Sequence, residues 1–355
     1  MELNDISDPL LRTALSAKNE EMVESNIAAM QSNGLNRFSL ANPAFFSEHK
    51  THCKTLYGFP SFDFLTSFIE EMFGVSYIVP KSATVSRGGN DEDKGLSQFE
   101  QILLTLFFCN SLWNYKIIGS LFGVKSRITV GKIIDKWLPV IGEIGDMLSS
   151  FYDLIDEQSL KKLEPEWYIR MNLRKIAAIV DGKDFLTETI RSDRVLNSLQ
   201  SSNKVNHSAF RVLTWSLPCG AVVERTPAFF GRASEKSIMR AWGSKGRLLF
   251  PPDHCILGDK GFDNTAGCYT NYNTTLHPSF LTSTQFSREE VNHNIQICKK
   301  RYSCETVYSH VTETVKLSGI YKKEWFHHFD SILGWAHGRA NICYGYLQKI
   351  NNYEH

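Results

Sequence analysis

Three acidic residues that lie far apart in the sequence have the type and local context of metal ligands: Asp181, Asp259 and Glu305. Asp181 directly follows the apolar run 176–180, and Asp259 follows the short apolar segment 254–257. Both aspartates are therefore expected at the ends of buried strands, where a partner or a metal ion must offset the cost of burying a charge. Taken singly, each aspartate is more typical of a turn residue. The metal hypothesis depends on all three acids meeting.

Glu305 belongs to a predicted long helix that begins with a capping box formed by Ser287 and Glu290. The helical spacing predicts an inner stripe of Val291, Ile295, Cys298 and Tyr302. Glu305 occupies the next position on that stripe, so we expect its side chain to point to the core or its edge, which is uncommon for an unpaired glutamate. Arg301, four residues earlier, has two interpretations: it pairs with Glu305 or it contacts a phosphate oxygen.

Three carboxylates in one place repel each other unless cations lie among them. Carboxylate oxygens are ligands that suit Mg²⁺ or Mn²⁺, which keep bound waters and bind substrate phosphate. Two such ions, about 4 Å apart, can activate a water and stabilise the leaving 3′-oxygen of a phosphodiester. The acids therefore predict metal-dependent phosphodiester cleavage.

The elements that must position these acids form a predicted α/β domain over residues 165–350. Residues 176–180 read as a buried strand and residues 185–189 as its hairpin neighbour. Two further strands, 211–217 and 221–225, flank a turn at 218–220. Helices predicted over 287–318 and 323–350 follow. This order favours a mixed sheet flanked by helices.

The preceding region is predicted to be all α. We expect an N-terminal helical region over 1–80, with helices at 9–33 and 61–73, and a polar linker over 81–96. Residues 97–150 then read as three helices. Ser97 and Glu100 cap the first, the second runs over 115–122 and stops at Gly123, and Ser126 caps the third.

The second and third of these helices form a candidate helix-turn-helix with a basic surface. Arg127, Thr129 and Lys132 at the start of the third helix would face a DNA major groove, with Lys125 close by in the turn. The alternative is a small helical bundle with a solvated basic face. The first 100 residues hold 14 acidic and 8 basic side chains, whereas residues 101–355 hold 31 basic and 24 acidic ones. A DNA partner is thus more compatible with the later part.

Composition excludes several other classes. No apolar run approaches the roughly 20 residues that span a bilayer, and the first 19 residues lack the apolar core of a secretory signal. We therefore expect a protein without a membrane partner that stays inside the cell. The eight cysteines include no CxxC pair and no zinc-finger spacing, so we interpret them as free thiols.

Read together, ordered sequence blocks over about 45–350 resemble the Harbinger/PIF-type DDE transposases and their domesticated relatives. The early blocks are YGFPSF at 57–62, the two helices at 103–124 and 128–137, and AIVD at 178–181. The later blocks are FRVL at 210–213 with LPCG at 217–220, FGRAS at 230–234, GDKGF at 258–262 and RYSCE at 301–305. No single block is specific, and the resemblance lies in their shared order.

The resemblance implies a ribonuclease H-like fold, with a mixed sheet flanked by helices that follows an all-α helix-turn-helix domain. It also implies a DNA transposase or endonuclease that cuts element ends with Mg²⁺ or Mn²⁺, as two ions, and then transfers the strand. By position, Asp181, Asp259 and Glu305 are the catalytic, metal-binding acids, and Lys260, Arg301 and Arg232 are phosphate-side or DNA-binding residues.

The implied partners are DNA, as terminal inverted repeats and target, and a separate Myb-like DNA-binding protein. A homo-oligomer is compatible with this interpretation. The implied location is the nucleus, and a cytoplasmic location without the partner stays open. Two positions depart from the family pattern, Glu235 in place of aspartate and Thr306 in place of arginine. These departures keep open a domesticated DNA-binding protein with weak or lost cleavage.

Overall fold

The computed structural model describes residues 37–77, 95–111, 114–150, 157–163, 176–243, 255–262, 275–276, 285–315, 317 and 319–344. The predicted helix over 9–33 and residues 81–94 of the predicted linker lie outside these ranges. The chain divides into two compact units, Met1–Leu138 and Pro139–His355. Among the described helices, none combines the length and the apolar character needed to cross a bilayer.

The first unit is helical throughout its described part. Its helices are α1 (Arg37–Leu40), α2 (Pro43–Glu48), α3 (Lys50–Tyr57), α4 (Phe62–Phe73), α5 (Gln98–Ser111), α6 (Tyr115–Phe122) and the start of α7 (Arg127–Ser149). The predicted capping box of α5 is present, because Ser97 N donates to Glu100 Oε2 at 2.8 Å and Glu100 N donates to Ser97 Oγ at 3.2 Å. Sequence signals at helix ends therefore positioned these helices well.

Helix α6 has the predicted bounds, and α7 begins after Ser126 as predicted. Helix α6 ends at Gly123, whose φ of 71° is the left-handed conformation that glycine adopts at low cost. Val130, Ile134 and Leu138 of α7 are buried. The predicted DNA-contacting residues are all exposed: Lys125, Arg127, Thr129 and Lys132. The pair thus presents a basic surface, and its binding of DNA stays a prediction.

The second unit contains a mixed sheet. Its strands are β1 (Ile176–Leu186), β2 (Ser201–Ser202), β3 (His207–Ser216), β4 (Val222–Arg225), β5 (Phe229–Phe230), β6 (Cys255–Leu257) and β7 (Thr275–Leu276). Within the described ranges the strand order is β2-β3-β1-β6-β7, with β4 and β5 also pairing with β3. Strand β1 is antiparallel to β3 and parallel to β6. The predicted hairpin around residues 218–220 is the β3–β4 pair.

The predicted hairpin neighbour over 185–189 is wrong, because β1 continues without a turn to Leu186. The polar residues after Asp181 read as a turn in sequence. In the sheet, Asp184 lies opposite Arg211 of β3 and forms an ion pair with it, so this strand accommodates a buried charge. Asp181 therefore lies within a strand instead of at its end.

Helices cover both faces of the sheet. They are α8 (Glu157–Leu163), α9 (Arg194–Gln200), α10 (Glu235–Gly243), α11 (Arg288–Val315) and α12 (Phe329–Tyr344), with short 3-10 helices at Lys260–Phe262 and Lys323–His328. Ala178 and Val180 of β1 pack in one core cluster with Ile238 of α10, whereas Ile179 packs in a second cluster with Ile297 of α11. Because successive side chains of a strand point to opposite faces, α10 and α11 cover opposite faces of β1.

The predicted inner stripe of α11 is wrong. Its buried apolar residues in the described part are Ile297, Cys304, Val307, Tyr308 and Val311, whereas Val291, Ile295, Cys298 and Glu305 are exposed. The helix has apolar residues on two sides, and contact with the sheet selects one of them. Periodicity alone does not distinguish two such stripes. The capping box of Ser287 and Glu290 is present as predicted.

The second unit is a mixed α/β structure with a curled mixed sheet and flanking helices, which is consistent with a nuclease-like fold. Close helix packing supports it at one end. A Cβ added to Gly142 of α7 would lie 2.6 Å from the Cα of Ser331 of α12, and one at Gly334 would lie 2.7 Å from Gly142 O. These glycines allow the two backbones to approach closely.

Candidate active site

Asp181 lies on the face of β1 that α11 covers. Its Oδ1 accepts hydrogen bonds from Gly182 N at 2.9 Å and from Arg301 Nη2 at 3.3 Å. Tyr308 Oη donates to the backbone oxygen of Asp181 at 2.8 Å, and Cys304 Sγ is 3.7 Å from its Oδ2. Three residues on one face of α11 thus hold the helix against this aspartate.

Asp259 lies just beyond the end of β6. Strand β6 runs parallel to β1, with Leu257 beside Ile179, so the chain leaves the sheet beside the position of Asp181. Asp259 Oδ1 accepts a hydrogen bond from Gly261 N at 2.7 Å, which closes the turn at the 3-10 helix. Phe262 then anchors the turn in the core. The sequence pattern correctly placed Asp259 directly after a strand.

The two aspartates influence each other electrostatically. The pKa of Asp181 is raised, first by burial, while Arg301 lowers it and the negative charge of Asp259 raises it further. Parallel strand pairing therefore brings together two of the three acids that the sequence singled out.

Glu235 lies beside these aspartates, although the sequence marked it only as a departure from a family pattern. It is the first residue of α10, and its side chain is 12% exposed. A Cβ added to Gly182 would lie 2.6 Å from Glu235 Oε1, and one added to Gly261 would meet both Glu235 Oε2 and Asp259 Oδ1. The carboxylate of Glu235 thus lies between the backbone segments that follow the two aspartates.

The pKa of Glu235 is raised, first by burial and then by the charge of Asp259, with a smaller contribution from Asp181. Lys204 and Arg211 act in the opposite direction. An acid in the first turn of a helix is ordinarily a helix-dipole residue. Because of that ordinary explanation, sequence reasoning did not identify Glu235 as a site residue.

Two cations face the acids, and neither makes a close bidentate pair with them. Arg301 Nη2 is 3.3 Å from Asp181, and Lys204 Nζ is 3.5 Å from Glu235 Oε1 and 3.3 Å from Gly182 O. The side chain of Lys204 is 52% exposed. Sequence reasoning missed Lys204, because a lysine in a turn is ordinarily a solvated surface residue.

The other predicted site residues differ in position. Glu305 neighbours Cys304 on α11, but its side chain is exposed and makes no hydrogen bond or ion pair with a residue that the structure describes. Arg232 is exposed in the loop before α10, where its Nη1 donates to Ser198 Oγ at 2.5 Å. Lys260 begins the 3-10 helix after Asp259, and its side chain is outside the described part. The basic residues of α7 belong to the other unit.

Asp181 and Asp259 supply carboxylate oxygens, the hard ligands that magnesium and manganese prefer, and Glu235 adds a third carboxylate from α10. Gly182 and Gly261 lack side chains where the oxygens of Glu235 and Asp259 lie, which allows these carboxylates to approach the backbone closely. Lys204 and Arg301 already provide positive charge at this position, as a bound ion would.

Neither the curated proteins nor the solved structures include a match to this chain. Residues 180–323 match a family model described as DDE superfamily endonuclease. The matched region begins one residue before Asp181 and contains Glu235, Asp259, Arg301 and Glu305. A domain of this superfamily implies a nuclease that acts on DNA, and such enzymes generally use divalent metals. The match covers fewer than half of the 355 residues and supports a DDE superfamily endonuclease domain over residues 180–323.

Proposed function

We propose that this protein is a metal-dependent DNA endonuclease of the transposase type, with a ribonuclease H-like catalytic domain similar to those of Harbinger/PIF elements. One observation supports the proposal: Asp181 on β1 and Asp259, just beyond the parallel strand β6, are near enough for their charges to interact, within the region that matches the superfamily. The substrate is the phosphodiester bond at element ends, within terminal inverted repeats, and strand transfer to a target follows.

In this proposal Asp181 and Asp259 hold Mg²⁺ or Mn²⁺, and Glu305 is the predicted third acid on α11. The two ions supply activation of a water nucleophile and stabilisation of the leaving oxygen. The chain's own residues orient the acids. Tyr308 and Gly182 fix the backbone and the carboxylate of Asp181, and Gly261 fixes the carboxylate of Asp259.

Arg301 is the proposed phosphate-side residue. Its Nη2 contacts Asp181, whereas its buried Nε has no hydrogen-bond partner among the residues that the structure describes. A guanidinium with an open donor beside a metal site suits a phosphate oxygen. Lys260 and Arg232 are proposed to contact DNA from the neighbouring loops.

The helix pair α6–α7 is proposed as the helix-turn-helix that binds DNA. Its exposed residues Lys125, Arg127, Thr129 and Lys132 are suited to phosphate and base contacts. We further propose a nuclear location and, for specific end recognition, a separate Myb-like protein.

A plasmid-nicking assay tests the catalytic proposal. Supercoiled plasmid that carries candidate terminal repeats is incubated with the full chain and Mn²⁺, and nicked circles are quantified. We expect nicking by the wild type and by Glu289→Gln, which changes an exposed acid outside the site, but none by Asp181→Asn. Equal nicking by Asp181→Asn would show that this acid does not serve cleavage. Products joined to target DNA would distinguish strand transfer from hydrolysis.

A second candidate function is a domesticated DNA-binding protein without cleavage. The exposed position of Glu305 on α11 favours it. This function predicts DNA binding that weakens with salt and no metal-dependent nicking. Robust nicking that requires Asp181 would rule it out.

A further inference from the structure

Lys204 lies in the loop of the β2–β3 hairpin and brings a positive charge to the acids from that loop. Its Nζ donates a hydrogen bond at 3.3 Å to the backbone oxygen of Gly182, the residue that directly follows Asp181. The same Nζ lies 3.5 Å from Glu235 Oε1. The charge of Lys204 also acts against the raised pKa of both Asp181 and Glu235. The ammonium group of Lys204 therefore belongs to the surroundings of Asp181, although its backbone belongs to another hairpin.

The loop that carries Lys204 is fixed by the buried pair of Asp184 and Arg211. Lys204 N donates to Ser202 Oγ at 3.2 Å. Ser202 Oγ in turn donates to Asp184 Oδ2 at 2.6 Å and accepts from Arg211 Nη2 at 3.2 Å. Asn206 ends the loop with a φ of 51°, in the left-handed region that asparagine tolerates better than most residues. The backbone of Lys204 is thus tied to the sheet, which directs its side chain to the acids.

The contacts of Lys204 leave part of its ammonium group accessible. Its side chain is 52% exposed, whereas that of Glu235 is 12% exposed. An ammonium group carries three N–H donors, and Gly182 O accepts one of them. An ion pair with so exposed a partner adds little to stability, so stabilisation alone does not explain why a lysine meets a mostly buried glutamate here.

We propose that Lys204 binds a phosphate group of the DNA substrate beside Asp181, and that Glu235 is the positioning residue that holds its ammonium group there. The inference rests on the proposed nuclease function and adds a phosphate contact from the β2–β3 hairpin. A phosphodiester offers a negative charge and acceptor oxygens, which a lysine binds as a point charge. Acids alone repel a DNA strand, so a cation held among them favours its approach. Arg301 supplies the other cation from α11, so two separate elements provide positive charge beside Asp181.

The salt dependence of DNA binding provides the first test, because it counts phosphate contacts without requiring cleavage. A fluorescent duplex with candidate terminal repeats is titrated with the full chain at fixed Ca²⁺ and increasing KCl, and binding is followed by anisotropy. Lys204→Gln should lower the slope of log affinity against log salt by about 0.9, the value for one phosphate contact. Lys204→Arg keeps the charge and should stay close to the wild-type slope, as should Lys299→Gln, which changes an exposed lysine of α11.

A double variant separates phosphate binding from simple compensation of Glu235. If Lys204 served only to neutralise that carboxylate, Lys204→Gln combined with Glu235→Gln would recover the wild-type slope. The proposal instead predicts that the double variant keeps the loss of about 0.9. A wild-type slope in Lys204→Gln or in the double variant would overturn the inference, whereas nicking that requires Asp181 would leave the proposed nuclease intact. No DNA binding and no nicking by the wild type would overturn both.

Acetylation of lysines in the full chain, read by mass spectrometry, tests the role of Glu235. In the free protein the exposed ammonium group of Lys204 should react, and bound duplex should slow that reaction several-fold while Lys299 stays reactive. In Glu235→Gln the protection of Lys204 by DNA should be weaker, since its ammonium group has lost one of the two groups that hold it. Equal reactivity of Lys204 with and without DNA would overturn the phosphate contact, and equal protection in Glu235→Gln would overturn the positioning role of Glu235.

Discussion

Asp181 and Asp184 lie three residues apart on β1, and their surroundings differ sharply. Asp184 is 2% exposed and pairs with Arg211 through two contacts, Nε to Oδ1 at 2.5 Å and Nη2 to Oδ2 at 2.7 Å. Ser202 Oγ adds a third hydrogen bond at 2.6 Å. Asp181 is 17% exposed, has a single contact with Arg301 at 3.3 Å and experiences repulsion from Asp259.

The difference separates a structural carboxylate from a functional one on the same strand. A bidentate arginine neutralises the charge of Asp184, and Ser202 adds a further hydrogen bond. Asp181 keeps lone pairs available, and other acids lie close to it. An uncompensated group of acids lowers stability unless a cation is bound, and such strain is typical of sites selected for function. Substitutions at these aspartates and at their arginine partners test the contrast between Asp181 and Asp184.

The largest expected effect is on cleavage by Asp181→Asn. The asparagine keeps the shape of the side chain but removes the ligand charge, so nicking should fall by more than about a hundredfold. Asp184→Asn should retain most of the wild-type rate per folded molecule, because Asp184 is already paired with Arg211. The measurement is the initial rate of plasmid nicking in Mn²⁺, normalised to folded protein. Equal losses in the two variants would remove the distinction between the aspartates.

For the free energy of unfolding we expect the opposite order, with a larger loss in Asp184→Asn than in Asp181→Asn. Asp184→Asn leaves the guanidinium of Arg211 buried without its counter-charge, and breaking a buried pair in this way costs about 3–5 kcal/mol. The free energy of unfolding, measured by urea titration, should fall by a similar amount. A loss below about 1 kcal/mol would mean that the pair contributes little more than a surface ion pair.

The contrast between the aspartates was only partly visible in the sequence. Strand patterns placed Asp181 and Asp259 next to the buried apolar runs of β1 and β6, because a buried apolar run followed by an acid is a local signal. They did not show that β1 continues beyond Asp181 to Leu186. The roles of Asp184 and Glu235 depend on cross-strand register and on where α10 packs. Those are long-range contacts, and local periodicity carries no information about them.

Helix α11 also shows that local sequence patterns do not predict long-range contacts. The capping box of Ser287 fixed where the helix begins, since that signal is complete within four residues. Which face is buried depended on contact with the sheet, so Cys304 and Tyr308 face Asp181, whereas Glu305 is exposed. The first strand was also longer than predicted, because a charge paired across strands resembles a turn residue in sequence.

Lysine substitutions of Arg301 and Arg211 test the same contrast through the partners of Asp181 and Asp184. Arg301→Lys keeps a positive charge near Asp181 but removes the donor Nε that has no partner among the described residues. Loss of one charged hydrogen bond to phosphate should lower nicking by about tenfold, with little change in the free energy of unfolding. Arg211→Lys should instead reduce stability, since lysine cannot reproduce the bidentate contact with Asp184. Nicking rates and urea titrations of both variants check whether Arg301→Lys lowers mainly cleavage and Arg211→Lys lowers mainly the free energy of unfolding.

The smallest expected effect is on the pH dependence of stability without metal. Burial and the charge of Asp259 raise the pKa of Asp181, so the folded state holds its proton more tightly than the unfolded state. Stability should therefore decrease as pH rises from the usual aspartate pKa through the raised one, and the loss should persist at neutral pH.

Asp181→Asn removes this titration, so its stability curve should be flatter in the acid range. At pH 7, without metal, the variant should be more stable than the wild type by about 0.5–2 kcal/mol, as is common when a strained site is relieved. Urea titrations from pH 4 to 7 in chelator measure both quantities. A variant that is less stable than the wild type at pH 7 would show that Arg301 fully compensates Asp181. That result would place Asp181 with Asp184 among the structural carboxylates.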